Sequence, residues 1–203
     1  MITSRREYIE YLRADRLALG IIGRRSWKAV LRELFYPHIT WRFQKRLRRL
    51  EYYRNCEKGF LRKIYYLYLK YRFRRESILL GFSIPENAFG SGLAIVHYGA
   101  ITVNSSARIG KNCRIHTCVS IGASGGKPQA PRLGDNVYIG PGAKVFGDVS
   151  IGNNIVIGAN STVNKSFSED GILIAGSPAR RIKKIDISKI IPHLRDPDQV
   201  ALI

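Results

Sequence analysis

Long apolar runs are missing from this chain of 203 residues. None reaches the roughly 18 needed to cross a bilayer, and the first twenty residues hold no apolar segment followed by a cleavage site. A cytoplasmic protein is the expectation. Cysteine is scarce: Cys56, Cys113 and Cys118 form no CxxC pair and no Cys/His metal spacing. Neither a disulfide framework nor a zinc site is expected, and no metal is assigned.

Acidic residues are also few, 15 Asp+Glu against 34 Lys+Arg, for a net charge of +19. The imbalance is local. Residues 1–80 hold 21 basic and 7 acidic residues, leaving a net +5 for the rest of the chain. That segment is poor in glycine, has Pro37 as its lone proline, and repeats apolar residues at helical spacing, as at Tyr8, Tyr11, Leu12 and Leu19. Helices are predicted near 5–19, 26–35, 40–56 and 60–76, the first opened by a capping box of Ser4 and Glu7.

At Gly81 the composition turns to Gly, Asn, Ser, Ile and Val. Every sixth residue from Val103 reads Val103, Ile109, Ile115, Ile121, Lys127, Leu133, Ile139, Val145, Ile151, Ile157 and Val163. Ten of these eleven are aliphatic, which random placement would give in about one chance in 10⁵, so the repeat governs the fold. Glycine follows the aliphatic residue six times, and small or aliphatic residues recur four places after it. Each hexapeptide is one short strand and a turn, three close a coil, the aliphatic side chain points inward, and glycine is expected to serve the turn angles. Phe89, Ile95 and Ile101 keep the spacing two residues out of phase, which predicts a short insertion between His97 and Val103. Lys127, amid Gly122 to Arg132, predicts a loop extruded between coils that keeps the phase.

The fold class is therefore α+β: an N-terminal α-helical region (1–80), a left-handed parallel β-helix of hexapeptide repeats (81–180), and a short C-terminal tail (181–203). Stacked coils leave open strand edges, so the helices are expected to cover the first coil and the prisms to associate as a homotrimer.

Four segments, Gly81-Phe82-Ser83-Ile84-Pro85, Gly92-Leu93-Ala94-Ile95-Val96-His97, Ile121-Gly122-Ala123-Ser124 and Ala175-Gly176-Ser177-Pro178-Ala179, together resemble the serine acetyltransferase family, over residues near 75–185. The likeness is nearest to its branch among capsule and exopolysaccharide acetyltransferases, and Tyr11-Leu12-Arg13-Ala14-Asp15 is similar as well. The resemblance implies direct transfer of an acetyl group from acetyl-CoA to a hydroxyl, at sites between neighbouring prisms of a trimer. It places His97 at the catalytic histidine. An alcohol attacking a thioester must lose its proton, and histidine titrates near the pH where such a base works.

Two family features are altered. The aspartate of the first segment is absent from Phe82-Ser83-Ile84, and the histidine preceding a proline in the extruded loop is Ala130 before Pro131. Both serve serine recognition or activation in the family, so the expected acceptor is a sugar hydroxyl of a capsule, exopolysaccharide or lipopolysaccharide. L-Serine is the alternative acceptor, and a non-catalytic binding scaffold the non-enzymatic alternative. Without the aspartate, His97 needs another orienting partner, such as a backbone carbonyl or Ser83.

Ser83, Tyr98 and His116 are the candidate acceptor contacts, although an ordinary surface or interface histidine is the favoured reading of His116. His38 and His193 carry no motif. For CoA, the resemblance points to Gly122, Ala123 and Ser124, whose backbone amides match the oxyanion and pantetheine region, and to Gly140 and Ala159 along the channel. Pro141 stands beside that channel without an N–H to donate. Arg180, Arg181, Lys183 and Lys184 are candidate phosphate contacts or a solvated basic tail. In the extension, Phe60 to Arg75 mixes cations with aromatics, as does Trp41 to Leu50. Such a helix can lie on an anionic membrane, here the inner membrane surface, or be a core helix with a charged face. No nucleic-acid-binding fold accompanies the basic residues.

Overall fold

A computed structural model describes residues 1–21, 35–56 and 58–195. The helix expected at 26–35 lies almost wholly outside them. Among the described residues, the helices before the repeat are α1 (Arg5–Ala18), α2 (Ile39–Cys56) and α3 (Phe60–Leu80). Ser4 caps α1 by accepting from the Glu7 N–H, and the Glu7 carboxylate reaches back to the backbone before the helix, accepting from the Thr3 N–H at 2.6 Å. The third helix runs four residues past its expected end, stopping at Gly81, whose φ of 73° suits a residue without Cβ.

Three parallel faces follow. One contains β1 (Phe82–Ser83), β3 (Ile101–Val103), β6 (Val119–Gly122), β9 (Lys144–Phe146) and β12 (Thr162–Val163). A second contains β4 (Arg108–Ile109), β7 (Arg132–Leu133) and β10 (Ser150–Ile151). The third contains β2 (Ala94–Ile95), β5 (Arg114–Ile115), β8 (Tyr138–Ile139), β11 (Val156–Ile157), β13 (Ile172–Gly176) and, antiparallel at its end, β14 (Ala179–Lys184). This is the left-handed β-helix, one short strand per hexapeptide. Every aliphatic residue of the repeat is buried, and Lys127 is exposed.

Strand register accounts for both irregularities. Leu133 pairs with Ile151 and Ile139 with Ile157, eighteen residues on, which is one coil of three hexapeptides. Ile121 pairs with Val145 twenty-four residues on, so the loop within 123–131 adds one hexapeptide and leaves the phase intact. Ile95 pairs with Ile115 twenty residues on, whereas Val103 pairs with Ile121 eighteen on. The two extra residues thus fall between Ile95 and Val103, at the corner that carries His97.

The repeat glycines act differently from expectation. Gly110, Gly134 and Gly152 do not have positive φ; Asn112, Asn136 and Asn154 beside them do, at 55°, 57° and 55°. Asparagine tolerates that region, and the Asn112, Asn136 and Asn154 side chains hydrogen-bond one to the next at 2.9 and 2.8 Å. Glycine is required instead by coil spacing, since a Cβ on Gly110 would stand 2.6 Å from the Gly134 carbonyl oxygen. Gly110→Ala should therefore destabilise the prism by about 1–3 kcal/mol. Gly122→Ala, whose Cβ meets nothing within 4 Å, should change stability by less than about 0.5 kcal/mol in urea titrations. Equal effects would refute the spacing argument.

The helices close the open end of the prism. Phe43, Leu47, Leu50 and Phe73 join Phe82, Phe89 and Leu93 in one continuous core. The Gln44 amide acts as a missing strand: its Nε2 donates to the Leu93 carbonyl at 2.7 Å and its Oε1 accepts from the Ile95 N–H at 3.0 Å. Buried Asp15 accepts from the N–H groups of Gly92 and Leu93 at 2.8 and 2.9 Å, and buried Arg48 donates to the carbonyls of Phe89 and Gly90. Asp15 and Glu51 pair with Arg48. Burial disfavours the Arg48 charge, and the two carboxylates more than offset this. At the other end, β14 runs to Lys184, and Ile187 and Ile191 fold back beside Val156, Tyr138 and Leu173.

Candidate functional site

Strand pairing places the candidate residues on the prism edges. Ile95, Ile115, Ile139 and Ile157 are in register, so Val96, His116, Gly140 and Gly158 follow at one level of a single edge, and His97, Thr117, Pro141 and Ala159 at the next. His97, Tyr98, His116, Gly140 and Ala159 therefore share one edge. Gly122, Ala123 and Ser124 belong to the following edge, where β6 ends and the extruded loop leaves. A single chain thus carries the catalytic candidate and part of the CoA-binding candidates on different corners.

The His97 corner is pinned on both sides. The Val96 N–H donates to the Ile115 carbonyl at 3.1 Å, and the Gly99 N–H donates to the Leu80 carbonyl at 3.0 Å. Between these bonds the two inserted residues push the His97 and Tyr98 side chains into solvent. Among the described residues, neither nitrogen of His97 has a hydrogen-bond partner. Ser83 lies on β1 opposite Thr102 and makes no hydrogen bond to His97.

His116 stands one coil further on, its ring 6.2 Å from His97, and Tyr138 continues the row 5.0 Å beyond. Burial, then the charge of Arg114, then His97 lower the His116 pKa below that of a free histidine. His193, from the folded-back tail, is likewise shifted down by burial and by Arg114.

The signs for stability are the same for both rings. Below the ordinary histidine value of 6.5, the unfolded chain binds more protons than the folded one. This contribution is complete above that pH, declines as the pH falls below it, and is lost once the folded-state rings also titrate. Melting temperatures between about pH 5 and 8 should fall on the acid side, less steeply in a His116→Gln/His193→Gln variant. An unchanged acid slope would remove these rings from the acid response.

Near the loop, a cavity of about 280 Å³ is lined by Ser106, Pro128, Gln129, Ala130, Arg132 and Asp148. Ala130 is buried, and the exposed part of the loop, Ser124 to Gln129, contains no histidine. On the closing hairpin, Arg180, Arg181, Lys183 and Lys184 are all exposed, and Arg181 is held by both oxygens of Glu169 at 2.7 and 3.1 Å.

Two features escaped sequence reasoning. The pairing of Asp15 and Gln44 with the first coil has no local motif, although Asp15 closes the Tyr11-to-Asp15 segment noted above. The row from His97 through His116 to Tyr138 depends on coil offsets of twenty and twenty-four residues, which become certain only when the strands are paired.

Residues 130–165 match the family described as bacterial transferase hexapeptide (six repeats). The chain is 34% identical over 132 residues to a serine acetyltransferase of Synechococcus elongatus, covering 62% of this chain and 53% of that protein. It is 36% identical over 121 residues to a serine acetyltransferase of Staphylococcus xylosus, covering 57% and 55%. Among solved structures, the serine acetyltransferase of Brucella abortus strain S19 in complex with coenzyme A is similar with a TM-score of 0.67 and 26% identity, covering 90% of this chain and 70% of that one. The repeat and the fold are similar to those of these hexapeptide-repeat proteins. The chain spans about half the length of the curated serine acetyltransferases it matches.

Proposed function

We propose that the chain is an acetyl-CoA-dependent O-acetyltransferase with His97 as general base. The observation that carries this reading is the register that sets His97 in line with Gly140 and Ala159 on one prism edge. As the acceptor oxygen attacks the thioester carbonyl, His97 takes the hydroxyl proton. Backbone N–H groups of the 122–124 segment would face the developing oxyanion. On collapse, the C–S bond breaks and the CoA thiolate recovers a proton from the imidazolium, so no acyl-enzyme forms. Arg180, Lys183 and Lys184 would meet CoA phosphates, and Arg181 would have to leave Glu169 to join them.

The halves of the site lie on two edges of one chain, which supports assembly as a homotrimer in which one prism's His97 edge meets its neighbour's loop edge. Of the described residues, those within 1–80 would then cap the prism, 81–180 carry the chemistry, and 181–195 form a tail that runs back to α1. A cytoplasmic enzyme fits the use of acetyl-CoA.

Two acceptors have support. The named relatives favour L-serine, which is the better supported of the two on that ground. A saccharide hydroxyl is favoured by the departures at Phe82-Ser83-Ile84 and at Ala130, which leave His97 without a carboxylate and the loop without a histidine. A kcat/KM comparison across L-serine, nucleotide sugars and capsule fragments decides between them. At least a hundredfold preference for a saccharide would support the acceptor argument from Ser83 and Ala130, and robust serine turnover would overturn it. If retained folding accompanied binding of acetyl-CoA but no transfer to any acceptor, the non-catalytic scaffold would be the correct reading.

A further inference from the structure

Helix α3 has two apolar faces, and the prism uses only one. Phe73, Tyr66, Leu69 and Leu80 turn inward onto the core, with Glu76 beside them accepting from Arg42 and Arg46. On the opposite side, Phe60, Ile64, Leu67, Tyr71 and Ile78 recur at steps of four, three, four and seven residues, the spacing of one helical stripe. They are 78%, 49%, 55%, 58% and 71% exposed. A helix with a merely solvated outer face has no reason to place five large apolar side chains in that row.

Cations border the stripe on both sides, Lys63, Lys70 and Arg74 along one flank and Arg72 and Arg75 along the other. Arg72 lies over the Tyr68 ring and Arg75 over the Tyr71 ring. The helix has one acidic residue, Glu76, and its side chain is buried, so the outward face presents cations with no carboxylate. Among the described residues, no helix is long and apolar enough to cross a membrane.

We propose that α3 lies in the headgroup layer of an anionic bilayer, burying the Phe60, Ile64, Leu67, Tyr71 and Ile78 stripe while its flanking cations meet lipid phosphates. Charge complementarity selects this occupant over a second copy of the chain, whose α3 would bring the same cations against these. The helix of 21 residues would lie about 30 Å along the surface. Its final carbonyl, that of Leu80, accepts from the Gly99 N–H, so docking would hold the His97 corner near the interface. If the acetyl-transfer reading holds, an acceptor carried on a lipid would present its hydroxyl there.

Cosedimentation of the whole protein tests the surface without reference to catalysis. Vesicles of phosphatidylcholine with about one third phosphatidylglycerol should bind it at least tenfold more tightly than phosphatidylcholine alone, with the difference shrinking as salt is raised. Ile64→Glu/Leu67→Glu should lower binding to anionic vesicles at least tenfold while circular dichroism and particle mass by light scattering stay unchanged. Arg74→Glu/Arg75→Glu should lower it through the charge alone. Equal binding to neutral and anionic vesicles would overturn the proposal. So would a change of particle mass in Ile64→Glu/Leu67→Glu, which would make this face a contact between copies. Acetyl transfer to a soluble acceptor is a separate readout, so failure of either reading leaves the other testable.

Discussion

Alanine at His97 should lower the rate of acetyl transfer by about 10²–10⁴-fold, the range general-base catalysis supplies. The loss should appear in kcat, measured as acceptor-dependent release of CoA thiol, with the KM for acetyl-CoA nearly constant, because the imidazole acts on the acceptor proton and not on the cofactor. Folding should be unaffected, since the His97 ring is exposed and makes no hydrogen bond to the described residues. His97→Gln should be as impaired as His97→Ala, because it keeps a polar group of similar reach but cannot take a proton at neutral pH. A His97→Ala protein within a few-fold of wild type would remove the residue from the chemistry.

The second large effect concerns stability. Asp15→Ala removes the acceptor of the Gly92 and Leu93 N–H groups together with one counter-charge of fully buried Arg48. Leaving those groups unpaired should cost about 3–5 kcal/mol, read as a lower urea midpoint. Asp15→Asn keeps an oxygen for the two backbone donors and should cost less. Arg48→Met would leave Asp15 and Glu51 without their buried cation. The paired variant Asp15→Leu/Arg48→Met should therefore be less destabilised than the sum of its single changes. Strict additivity would show that the ion pair is not the element joining the helices to the first coil.

How much could be read beforehand follows from the range over which each signal acts. The prism was legible because its period is local: an inward aliphatic residue every six positions survives both the extruded loop, which adds a whole hexapeptide, and the two-residue insertion, which shifts the phase once. The place of that insertion also singled out the His97 corner. The cause behind the glycines is not local: the demand on Gly110 comes from Gly134, a full coil away, while the left-handed turn belongs to Asn112. The cap formed by Asp15, Gln44 and Arg48 was not readable for the same reason. Their partners lie between 41 and 78 residues downstream and are backbone groups without a sequence identity. The half-site divided between two edges became visible only with the register.

Mass analysis of both acceptor and protein after incubation with acetyl-CoA tests direct transfer at His97 most squarely. Wild type should yield acetylated acceptor and free CoA in equal amounts with no acetyl group on the protein, and His97→Ala should yield neither above background. An acetylated protein intermediate, or acceptor acetylation that proceeds unchanged without His97, would contradict that mechanism.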